Sequence, residues 1–73
     1  MDQALISIRP MTPGWRLDAP QTDGPQLFLS GARAEAAAHA LAQRLAESAG
    51  GACVVIYDRS ESVVGETTYA VVR

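Results

Sequence analysis

Apolar positions along the chain gather into six short blocks, separated by proline, glycine and polar turns. Ala4 to Arg9 (Ala-Leu-Ile-Ser-Ile-Arg) is isoleucine-rich and predicts a strand, which Pro10 ends. Pro13-Gly14 supplies turn chemistry. Trp15 to Ala19 then predicts a second strand, with Trp15 and Leu17 on one face and Arg16 and Asp18 on the other, close enough to the first to form a hairpin. Pro20 to Pro25 reads as a surface loop, and Gln26 to Leu29 as a short third strand.

From Ala32 to Ala49 alanine dominates, with leucine, arginine, glutamate and glutamine, all strong helix formers. Ser30 stands where an N-cap belongs, and Gly50-Gly51 where a left-handed stop belongs. At 100° per residue Ala34, Ala38, Leu41, Leu45 and Ala49 form one stripe, flanked by Ala37. Glu35, His39, Gln43 and Glu47 fall opposite. A stripe made mostly of alanine lets the helix axis lie close to a sheet.

Ala52 to Tyr57 is apolar at every position, which predicts a central strand covered on both faces. Asp58 to Ser62 is a connection of hairpin length, and the β-branched Val63 to Val72 its antiparallel partner. The expected fold class is therefore α+β: an antiparallel sheet of four or five strands, order β-β-(β)-α-β-β, with one helix packed on one face. Seventy-three residues hold one core, so the chain reads as a single domain, residues 1-73.

With that order established, a resemblance appears. Gly14-Trp15-Arg16-Leu17, Leu27-Phe28-Leu29 followed by Ser30, the alanine-rich helix, Val54-Val55-Ile56 and the closing Thr67-Thr68-Tyr69 resemble the domain of unknown function 2188 family of short bacterial and phage proteins. The match runs in order from about Ile6 to Ala70. Three features depart from the family pattern: Ser60-Glu61 replaces an Asp-Gly hairpin, the helix is about one turn longer, and Tyr57 or Asp58 stands where a histidine is expected. The resemblance implies this fold order, and it brings no activity and no catalytic residues.

Composition narrows the function classes. Net charge is −2, and with no lysine every fixed cation is one of six arginines, spread from Arg9 to Arg73 without a basic stripe. Nucleic acid is therefore not the expected partner, and no anionic-membrane anchor is expected. A lone Cys53, the absence of a signal-type N-terminus and of an apolar run of about 20 residues point to a cytoplasmic chain.

Candidate chemistry is sparse. His39, the one histidine, reads as a solvated helical residue beside Glu35 and Gln43. Cys53 lies within an apolar strand and reads as a core thiol. Glu35, Glu47, Asp58, Glu61 and Glu66 are dispersed, so no metal set is expected. No catalytic, cofactor-binding or metal residues are assigned, no cofactor is implied, and the chain is not read as an enzyme. Trp15, Phe28, Tyr57 and Tyr69 lie on strands; any that face away from the helix form, with Arg9 and Arg16, a surface able to stack single-stranded bases. Core filling is the expected role of Trp15 and Phe28.

One helix covers one face of a sheet, yet the last two strands carry apolar residues at both parities. Val63, Tyr69 and Val71 are expected on one side, and Val64, Ala70 and Val72 on the other. The sequence thus suggests a binding or assembly module acting through an open sheet face or a strand edge. Its partner is an unknown protein or a second copy in a homodimer, and its binding residues are left open.

Overall fold

The computed structural model describes residues 3–20 and 24–70, apart from the side chain of Ala49. Six elements follow in chain order: β1 (Ala4–Pro10), β2 (Trp15–Asp18), β3 (Gln26–Phe28), α1 (Gly31–Ala49), β4 (Ala52–Tyr57) and β5 (Val63–Tyr69). The order matches the expectation β-β-β-α-β-β. Part of the loop from Pro20 to Pro25, and Val71 and Val72 of the last expected strand, lie outside the described residues. The predicted third strand is one residue shorter, because Leu29 sits in a bend.

The sheet runs β3-β2-β1-β4-β5. It is mixed, which corrects the all-antiparallel expectation: β1 and β4 are parallel neighbours, while the other pairs are antiparallel. The cause is the length of α1. Its 19 residues rise about 28 Å at 1.5 Å each, enough to carry the chain back to the end of the sheet where β3 began. The strand after such a crossover runs parallel to the strand before it. β4 slots in beside β1, so β1 occupies the centre where β4 was expected, and β4 lies one place toward the β5 edge; α1 covers only one of its faces, which corrects the expected cover on both.

Alternation sorts the strands between two faces. Ala4, Ile6 and Ile8 of β1, Ala52 and Val54 of β4, and Leu17 of β2 turn toward α1 and are buried. The helix meets them with Ala34, Ala38, Ala42, Leu45 and Ala46. The predicted stripe is thus correct at Ala34, Ala38 and Leu45. It is rotated elsewhere: Ala42 and Ala46 are buried and Leu41 is half-buried at the rim. The i,i+4 alanine ridge is the low side of the helix, so it settles closest to the sheet while the leucines reach in from its flank.

Both helix ends are closed as the sequence predicts. The Ser30 hydroxyl accepts from the Arg33 amide at 3.3 Å, and the Gly50 amide, at φ 85°, donates to the Ala46 carbonyl. No helix among the described residues is long and apolar enough to cross a membrane.

Candidate interaction surface

The face of the sheet turned away from α1 is uncovered. Pairing registers arrange its side chains in rows across the strands. One row reads Leu27, Arg16, Arg9, Tyr57 and Val63. The next reads Asp18, Ser7, Val55 and Glu66. A third begins with Leu5 and Cys53 and ends on Thr68.

In the first row the Arg9 guanidinium lies 4.2 Å above the Tyr57 ring centroid, a cation–π contact between neighbouring strands. Arg16 Nε donates to both carboxylate oxygens of Asp18, at 3.0 and 3.1 Å. Arg9 and Arg16 are direct cross-strand partners, a like-charge juxtaposition that costs stability unless an anion relieves it. In the second row Ser7 and Val55 are only 8% and 6% exposed, covered by the side chains around them. On the same face Leu5 (53%), Leu27 (64%) and Val63 (55%) are exposed apolar side chains, and Val64 (63%) is exposed at the β5 edge.

A register shift between Ile56 and Tyr57 sets Val63 opposite Tyr57, with Val64 the extra residue. Val63 is therefore on the open face and Tyr69 on the helix face, which corrects their expected common side. The aromatic expectation changes likewise. Trp15, Phe28 and Tyr69 pack against the helix-side core, as expected for Trp15 and Phe28, and only Tyr57 joins Arg9 and Arg16 on the open face. A single ring already covered by a guanidinium is a poor stacking platform for bases.

Two single-residue expectations are also corrected. Cys53 is half-buried on the open face, in register with Leu5, and is not a core thiol. His39 is not a solvated helical residue: it is half-buried, with Nδ1 2.6 Å from the Tyr69 hydroxyl. In the neutral ring protonated at Nε2 the phenol donates this bond, which ties α1 to the edge strand β5. His39→Ala is expected to lower unfolding free energy by roughly 0.5–1.5 kcal/mol, with Tyr69→Phe close to it; urea denaturation measures both, and no change in either variant would refute the tie.

A shallow cleft of about 270 Å³ opens near the ends of β1 and β4, lined by Pro10, Gly14, Trp15, Leu29, Asp58 and Arg59. Asp58 is committed to its turn: its Oδ1 accepts from the Ser60 hydroxyl at 2.7 Å and from the Ser60 and Ser62 amides. The Ser60 hydroxyl bond foremost, then the Ser62 amide, holds its carboxyl below the usual value. A depressed folded-state pKa means that the turn's contribution is present above the unfolded value and fades as pH falls through the folded one. The Arg59 guanidinium reaches the Thr12 hydroxyl at 3.4 Å. The cleft lining includes neither His39 nor Cys53. Among the described residues no three His, Cys, Asp or Glu side chains converge as a metal site.

Sequence reasoning missed Leu5, Leu27 and Glu66 as members of the open face. The signal for Leu27 was its place in the β2–β3 hairpin opposite Arg16; for Glu66 it was the bulge, which no residue pattern announces. Compared with family models, curated proteins and solved structures, the chain matches none.

Proposed function

We propose that this chain is a binding or assembly module without catalytic activity, whose contact surface is the helix-free face of its sheet together with the β5 edge. The observation that carries the reading is the exposure of Leu5, Leu27 and Val63 around a charged centre on a face that no element among the described residues covers. An exposed apolar group rimmed by charge is the usual composition of a contact site. Its partner is a protein. The net charge of −2 and the burial of Trp15 and Phe28 against the helix side argue against single-stranded nucleic acid. A second proposal is that the chain is a member of the domain of unknown function 2188 family; its support is the order of elements and the residues Trp15, Ser30 and Val54-Val55-Ile56 that carry the resemblance.

The test replaces Leu27 and Val63, both more than half exposed, with glutamate. Each variant is expected to keep its circular dichroism spectrum and to lose association, whether with itself in sedimentation or with a protein retained by the immobilised domain. Association unaffected by both substitutions would remove the open face from the proposal.

A further inference from the structure

We infer that the open face receives a second copy of this chain, laid face to face about a two-fold axis that crosses the strands. The row Arg16–Arg9–Tyr57 of each copy then lies over the row Asp18–Ser7–Val55 of the other. This rests on the reading of the open face as the contact surface and adds the identity of the occupant.

An isologous interface must be complementary to itself, because each patch meets its own image. The two rows meet that condition in charge. Arg16 and Arg9 place two guanidinium groups in one row, and Asp18 places a carboxylate in the next. Two residues of strand separate the rows, about 6.6 Å at 3.3 Å per residue. A two-fold axis midway between them sets each row over the other, twice.

Charge follows the same operation. Arg16 lies over the Asp18 position of the second copy, and Arg9 over its Ser7, which has Asp18 as cross-strand neighbour. Arg9 has no hydrogen-bond acceptor among the described residues, so the arrangement supplies one. Arg16 uses Nε on its own Asp18 and leaves its terminal nitrogens to donate outward. The strands of the two copies run antiparallel across the interface, which is the aligned packing of stacked sheets about 10 Å apart. Other axes fit less well: one parallel to the strands brings the carboxylates of Asp18 and Glu66 together, since the two occupy the same row at opposite ends.

The test uses the full chain and two opposite charge reversals, Arg16→Asp and Asp18→Arg. Both side chains are exposed, at 50% and 36%. In sedimentation equilibrium the native chain is expected at twice its 7.7 kDa mass. Each variant alone places like charges over one another and is expected to associate at least about tenfold more weakly. An equimolar mixture of the two is expected to restore the double-mass species, a gain that unfolded variants cannot produce. Reversals on the outer helix face, Arg44→Asp and Glu47→Arg, are expected to leave the native dimer intact. A monomeric native chain, single variants that dimerise as the native chain does, or a mixture that stays monomeric would each overturn the inference. A monomeric chain that still loses a captured protein on Leu27→Glu or Val63→Glu would overturn it while leaving the module reading in place.

Discussion

Ile6→Ala is expected to lower the unfolding free energy by about 2–5 kcal/mol. Ile6 is 0% exposed on the central strand, in register with Val54 of β4 and beneath the alanine ridge of α1. Truncation removes its transfer free energy and leaves a cavity. The helix is already in contact through alanine, and β1 is held on both sides by hydrogen-bonded neighbours, so neither can collapse far into the gap. A 73-residue chain has about 4–11 kcal/mol in total at the usual 0.05–0.15 kcal/mol per residue. The substitution therefore consumes a large share of the whole, and in a domain of this size each kcal/mol moves the melting midpoint by about 4–8 °C. Leu5→Ala, one residue away, provides the contrast. Leu5 is half exposed on the opposite face, and its loss is expected within about 0.5 kcal/mol of neutral in a dilute sample. Urea denaturation of both variants tests the assignment of faces; equal effects would reject it.

Most element boundaries were legible in the sequence, whereas the parity that separates Ile6 from Leu5 was not read from it. Ser30 and Gly50 announce the ends of α1, Pro10 and Pro13-Gly14 the first turn, and the unbroken apolar run Ala52–Tyr57 an interior strand. These signals are local: each depends on the backbone preferences of a few adjacent residues. The neighbour relations were not legible, because they depend on where a 19-residue helix sets the chain down. Read through its hairpins alone, the sequence pairs each strand with the next and misses the parallel contact of β1 with β4. The same blindness explains the site. Arg9, Arg16 and Tyr57 were identified as possible neighbours, but their junction requires β4 beside β1, and the bulge that turns Val63 toward Tyr57 has no residue signature. His39 was misread because its partner Tyr69 lies 30 positions away, on a strand whose place at the edge follows from the same crossover.

Gly14→Ala is expected to destabilise the chain by about 1–3 kcal/mol from backbone strain alone, and by more once the contact it forces is included. Gly14 has φ +91°, a conformation that L side chains rarely adopt, and its position is fixed because its carbonyl accepts from the Met11 amide at 2.8 Å. A methyl group there would press into the carbonyl of Phe28 and approach the Cα of Leu29. Neither neighbour is a side chain that can swing aside. Phe28 pairs with Trp15 at the β2–β3 ladder, and the chain runs from it through Leu29 into the Ser30 cap. The substitution must therefore open the β2–β3 pairing or tilt the start of α1. Gly24→Ala separates the two causes, since Gly24 also has positive φ, at +145°, while an added Cβ there meets nothing within 4 Å among the described residues. The second variant is expected to show strain without displacement: a lower urea midpoint with exchange of the Arg16 and Leu27 amides unchanged. The first is expected to lower the midpoint further and to speed that exchange. Matching exchange rates in the two variants would mean that β3 yields to the methyl group without losing its place.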